Sequence, residues 1–340
     1  MTHDQFEVLS NQAIAGCAIV YFLAVLAHLA QWATGRRVEE HEPEVVSVGA
    51  VAGAGAPVVE RPVADQSVVD PAEERMDLYG RIGVALTVVA AFVHFVAVVA
   101  RGLAADPVRV PWGNMYEFTL TGTLVVVVLY LLLFKRYSLS WLSPVVTSFV
   151  LVTLMIDVLL LYTPVVPLRD ALRSYWLVIH VVAAIIATGA FTLGGMCSVL
   201  YLLKERWLAR HPGEESGRGY LARLPKLVVL DRMAYRAHAF AFPIWTFAAL
   251  IAGPIWAHNA WGRAWGWDPK EVWAFITWVV YAAYLHARAT QGWKGRSAAM
   301  IALVGLATLW FNFIGINFFF GSGSQHSYAA PVIAVVQTLT

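Results

Sequence analysis

The stretch WGRAWGWDPKEVWAFITWVVYAAYLH, residues 261–286, decides how the rest of the chain is read. Trp261, Trp265, Trp267, Trp273 and Trp278 fall within eighteen residues. A hydrocarbon core has no need of so much indole. Indoles gather where one edge is wet and the rest apolar, at a membrane interface or against a flat aromatic ligand. Asp268, Pro269 and Glu271 read as a helix start. An acid suits the N-cap, proline suits the first helical position, and glutamate at the third can reach back to close a capping box. The reading is a loop or interfacial segment over 261–267 and a helix over 269–288. At 1.5 Å per residue, His286 lies roughly 25 Å along that helix from the cap, deep in the far half of a spanning element.

Composition agrees with a bilayer. The chain is 59% hydrophobic and 14% charged over 340 residues, with a net charge of +2. Its mean hydropathy is +0.64, above that of a soluble domain. The net charge itself says little about partners, because charge placement matters more than its sum; no nucleic-acid partner is expected. Cys17 and Cys197 lie in separate apolar runs, and no CxxC occurs. That excludes a thiol–disulfide relay and a c-type haem acceptor, and leaves both cysteines as packing residues. The first apolar run is long and lacks a small-residue cleavage site, so it reads as a retained span.

Eight apolar segments approach the length of about 20 residues that a bilayer needs. They cover roughly 12–32, 79–100, 117–134, 141–162, 174–203, 238–257, 270–289 and 298–320. The expected fold is therefore an all-α polytopic bundle of about eight transmembrane helices. It divides into an N-terminal helix (1–33), a flexible linker (34–77), the main transmembrane domain (78–328) and a tail (329–340). The linker runs GRRVEEHEPEVV and then VGAVAGAGAPVVERPVADQ, rich in Gly, Ala, Pro and acid and without hydrophobic period. Alternating the spans places 17 of the 24 Lys and Arg on the side of the linker. By the positive-inside rule that side is cytoplasmic, and both termini and the tryptophan segment face outward.

Ionisable residues inside a span are functional candidates by default. His180 opens the fifth span, with Ala183, Ala184 and Ala187 on its helical face leaving room for a flat ligand or a close helix. His326 follows the last span in GSGSQHSY. Both sit at the depth of the tryptophan segment, and two imidazoles beside an aromatic platform suit a bis-histidine haem site. The plainer reading is a solvated histidine and an aromatic belt at each place. His28 and His94 suit packing or local hydrogen bonds, and His238 and His258 carry little signal. Asp157 is an intramembrane acid whose partner the sequence does not place.

PWGNMYEF at 111–118, SYWLVIH at 174–180, the tryptophan segment ending in YLH at His286, and NFFFGSGSQHSY at 317–328 occur in an order and spacing that carry a resemblance. Over roughly residues 79–328 the chain resembles the CcsA/ResC family, the WWD-domain haem-handling proteins of System II cytochrome c biogenesis. The resemblance implies that His180 and His326 are outer axial ligands of haem iron, and that His286 belongs to a transmembrane haem site. It implies that Trp261, Trp265, Trp267 and Trp273 shield the macrocycle, with Asp268 fixing the loop-to-helix junction. Haem b would be the substrate. It would be moved to the outer face and presented to apocytochrome c CxxCH thiols for thioether formation, as in a cytochrome c synthase, without a catalytic acid or base. The implied partners are a CcsB/ResB-like membrane subunit, apocytochrome c and a thiol-reducing thioredoxin-like protein, at the plasma membrane. Arg263 and Lys270 are candidates to pair with haem propionates. The related System I families fit the length less well. A bis-histidine b-type cytochrome would need two histidine pairs in this chain, and a permease would show repeats and broken helices.

Overall fold

The computed structural model describes residues 1–34, 71–166, 173–212, 219–290 and 292–320. His326, the tail and most of the expected linker lie outside the described residues. All regular structure among the described residues is helical. In chain order the helices are α1 (His3–Thr34), α2 (Pro71–Leu103), α3 (Met115–Tyr137), α4 (Leu139–Leu161), α5 (Tyr175–Arg210), a single turn α6 (Tyr220–Arg223), α7 (Leu227–Trp261), α8 (Pro269–Thr290) and α9 (Arg296–Phe319). Residues 71–77, which read as linker in the sequence, are the first turns of α2.

Seven of these helices are long and apolar enough to cross a bilayer, and α8 is not among them. It forms where the sequence predicts a span over 270–289, with 22 residues. Lys270, Glu271 and Arg288, together with its threonines and tyrosines, lower its hydropathy. The chain is a polytopic helical membrane protein.

Helix ends follow from local sequence. Asn114 caps α3 by accepting the Glu117 N–H at 2.8 Å, and Ser174 caps α5 through the Trp176 N–H at 3.2 Å. α7 stops at Gly262, whose φ of 73° carries the N–H back to the His258 carbonyl. Helix α1 packs along α2, and α5 runs through the centre against α3, α7 and α9. At the far end from the tryptophan segment, Asp231 on α7 accepts from Arg288 of α8 at 2.6 Å and from the Gly295 N–H at 3.1 Å, tying α7, α8 and the start of α9 together.

Small residues let α5 be approached closely. A Cβ on Gly194 would lie 2.7 Å from the His238 ring, so that imidazole rests on bare backbone. His238 is fully buried among Phe191, Tyr281 and Tyr284, and neither ring nitrogen has a hydrogen-bond partner among the described residues. His94 and His28 have partners. His94 Nε2 meets the Leu120 carbonyl at 3.0 Å, and His28 meets Gln31 at 3.4 Å.

Among the described residues three helices carry a π-turn: Asp157–Leu161 in α4, Ala248–Ala252 in α7 and Phe311–Gly315 in α9. Such turns are rare and often stand at functional sites. The one in α7 has a visible cause. Pro254 has no N–H to give the preceding turn, and the Gly253 N–H bonds the Ala248 carbonyl five residues back.

Candidate functional site

A cavity opens at the tryptophan end of the bundle, among α3, α5, α7, α8 and α9, and encloses about 1230 Å³ including its mouth. Two of the three π-turns form part of its wall, through Ala248 and Ala249 of α7 and Asn312 and Phe313 of α9. The lining is mainly apolar and aromatic, with a few polar groups, the usual make-up of a small-molecule site.

His180 stands in this wall. Its Nδ1 lies 2.9 Å from the Ala248 carbonyl, the oxygen at the head of the α7 π-turn. A carbonyl only accepts, so Nδ1 carries the proton and the lone pair of the neutral ring is on Nε2. The ring is held on its other faces as well. It stacks on Trp256 with centroids 5.9 Å apart and planes at 15°, and a Cβ on Gly253 would come within 3.1 Å of it. The imidazole is thus fixed in tautomer and plane by backbone and indole, the arrangement a metal-ligating histidine needs.

The tryptophan segment is divided in its roles. Trp265 lines the cavity, and Trp261 lies one ring behind it, edge-on to the buried Trp256 at 4.9 Å. Trp273 packs on Phe311, the first residue of the α9 π-turn, at 4.2 Å. Trp267 is 74% exposed and has φ 57°, a conformation that is uncommon for a bulky residue. Asp268 is buried and makes the expected cap. Its Oδ1 accepts the Lys270 N–H at 2.9 Å, while Glu271 Oε2 accepts the Asp268 N–H at 3.1 Å and the Gly266 N–H at 2.8 Å. Asp268→Ala is expected to cost about 1 kcal/mol, read as a lower melting midpoint in detergent. Of the two cations proposed from sequence, Lys270 is in the cavity wall, whereas Arg263 is exposed and folds over the Gly266 carbonyl. His286 is on an exposed face near the other end of α8 and takes no part in the cavity.

The structure adds residues to which sequence reading gave no role. Trp112 and Asn114, from the PWGN turn, and Trp245, Trp256 and Asn312 complete the wall. The visible signal was the PWGNMYEF motif itself. Directly behind the turn, Glu117 is fully buried between two guanidinium groups. Arg109 bonds it at 2.6 and 3.1 Å, Arg101 at 3.3 Å, and the Gly113 N–H at 2.7 Å. Arg101 also bonds Glu7 of α1 at 3.3 Å and the Thr163 carbonyl.

These features together define a polytopic helical membrane protein with a single-histidine aromatic cavity at one end of the bundle among its described residues. A sequence model of the cytochrome C assembly protein family matches residues 112–322, and the chain belongs to that family. Its relatives include CcsA proteins of cytochrome c biogenesis. One from Trieres chinensis is 35% identical over 64% of this chain and 77% of its own length, and one from Guillardia theta is 40% identical over 48% and 56%. One from Synechococcus sp. (strain JA-2-3B'a(2-13)) is 31% identical over 74% and 85%. The chain thus spans from about half to most of the length of these relatives. Among solved structures, the cytochrome c haem lyase CcmF shares the fold with a TM-score of 0.59 at 14% identity, over 92% of this chain and 47% of that one. The chain's place is in cytochrome c maturation.

Proposed function

We propose that the cavity receives haem b and presents it, iron-ligated by His180, for covalent attachment to apocytochrome c. The observation that carries this reading is the fixing of His180. Its Nδ1 is committed to the Ala248 carbonyl, so Nε2 is the ligating nitrogen, in a wall of indole and phenyl rings that suits a flat macrocycle. His326, which lies outside the described residues, is the second axial ligand on this reading. Haem here is substrate, and supplies the iron and the vinyl groups that thiols attack. The protein's own residues bind, orient and exclude water. The tryptophan end then faces outward, in agreement with the distribution of Lys and Arg.

His286 belongs on this reading to a separate inner haem site at the interface with a CcsB/ResB-like membrane subunit, for which its exposed position on α8 leaves room. A thioredoxin-like reductant keeps the apocytochrome thiols reduced.

The test is the visible spectrum of the full chain, purified with its membrane partner. A bis-imidazole spectrum is expected, changed by His326→Ala and separately diminished by His286→Ala. A wild-type protein without haem, or an unchanged spectrum in His326→Ala, overturns the ligand assignment.

A further inference from the structure

Three polar atoms of the cavity wall are buried and have no hydrogen-bond partner among the described residues: Trp112 Nε1, Asn114 Nδ2 and Asn312 Oδ1. A buried donor without a partner costs about 1–3 kcal/mol, so such groups are rare unless a ligand completes them. Two of the three are donors, and both come from the same turn, PWGN. Asn114 is 6% exposed. Its amide cannot rotate freely, because Oδ1 is held by the Glu117 N–H at 2.8 Å. The cap thereby fixes which end of the amide is left over, and that end is the NH₂.

The setting favours an anion. Behind the turn, Glu117 is shared by Arg101 and Arg109, and both guanidiniums stand next to the segment that bears the two donors. Glu117, the carboxylate that accepts the turn's Gly113 N–H, is therefore already engaged, and the unpartnered side-chain atoms of the turn are N–H donors.

We propose that the PWGN turn is a carboxylate subsite, in which Trp112 Nε1–H and Asn114 Nδ2–H₂ receive an anionic carboxylate substituent of the ligand in the cavity. This rests on the haem reading above and deepens it. The macrocycle is seated by a propionate on α3's entry turn as well as by its iron on His180, so two separate points fix its rotation in the plane. A neutral-donor site also explains why the turn is built on an asparagine cap, when serine or aspartate would cap α3 equally well. Only asparagine caps with one atom and donates with another.

The experiment compares two ligands on the full chain in detergent, made in haem-deficient cells. One is ferric protoporphyrin IX and the other its dimethyl ester, which keeps iron and vinyl groups and has no carboxylate. Three variants are titrated by absorbance: Asn114→Asp, which keeps the capping oxygen and replaces the donor by an anion; Asn114→Ser, which keeps a capping hydroxyl and removes the amide donor; and Trp112→Phe, which keeps the ring and removes the N–H. The free acid is expected to bind each variant about tenfold more weakly, the loss typical of one charge-assisted hydrogen bond, with the dimethyl ester unaffected. Equal weakening of both ligands means a structural role for the turn and overturns the proposal. Unchanged binding of the free acid in all three variants overturns it also. If the wild-type chain binds neither porphyrin, the haem reading itself has failed, and that outcome is visible before any variant is compared.

Discussion

Glu117→Ala is expected to destabilise the protein by about 3–5 kcal/mol, the cost of breaking a buried ion pair by removing one partner. The side chain is fully buried, and so is that of Arg101, while Arg109 is 10% exposed. Without the carboxylate, two guanidiniums face one another with little water to replace it, and the Gly113 N–H loses its acceptor. The damage does not stay local. Glu117 is the third residue of α3 and fixes the turn that carries Trp112 and Asn114 into the cavity wall. Glu7→Ala is the contrasting case. Glu7 is 26% exposed and meets Arg101 from α1. Its loss leaves Arg101 paired with Glu117, and an effect of about 1 kcal/mol or less is expected. Thermal unfolding of the two variants in the same detergent decides the matter. Equal shifts would show that the network is not centred on Glu117. The contrast also bears on α1, which lies outside the part of the chain matched by the family model. A small effect of Glu7→Ala makes α1 an addition to a cavity that is already held from within.

The helices were legible in the sequence because their signal is long. A run of about 20 apolar residues says bilayer whatever its neighbours are. The start of α8 was legible for the opposite reason: Asp268, Pro269 and Glu271 make their cap within four residues, and tertiary contacts do not alter it. Residues 71–77 resemble linker because their acidic and basic residues hide a helix whose stability comes from the apolar run beyond Leu78. His180 was found through its neighbours, and Trp265 through its cluster. The cavity itself was not legible. Its shape depends on π-turns at Ala248–Ala252 and Phe311–Gly315, and a single inserted residue in a helical turn leaves the apolar pattern almost unchanged. Nor does sequence position show which indole faces the cavity. Trp265 and Trp267 are two apart, yet one lines the wall and the other is exposed. Glu117 was hidden at the edge of an apolar run, where an acid looks like a boundary. Its partners Arg101 and Arg109 come from the preceding helix end and loop, and only the folded chain closes that triangle.

His180→Gly is expected to abolish cytochrome c maturation, with a fall beyond about 100-fold, since loss of even an outer-shell partner of a metal ligand costs 10- to 100-fold. Loss of activity alone would not separate a ligand from a packing residue, because His180 also fills space against Trp256 and Gly253. Glycine leaves an imidazole-shaped gap, bounded on one side by the Trp256 indole and on another by the Ala248 carbonyl. Free imidazole added at millimolar concentration can stack on the first, donate one N–H to the second, and present its other nitrogen to iron. Partial recovery of haem-linked product with imidazole is therefore the expected result, and a non-ligating analogue of similar size, such as pyrrole, is expected to give none. Recovery with both compounds would assign His180 a space-filling role, and recovery with neither would remove the ligand assignment. Gly253→Ala supplies a graded companion. The added methyl meets His180 and the Ala248 carbonyl at 3.1 Å, close enough to press on the ring without removing it. Its maturation activity is expected to fall between wild type and His180→Gly, with an altered axial-ligand spectrum and little change in thermal stability. A drop in stability without a spectral change would instead place the role of Gly253 in helix packing.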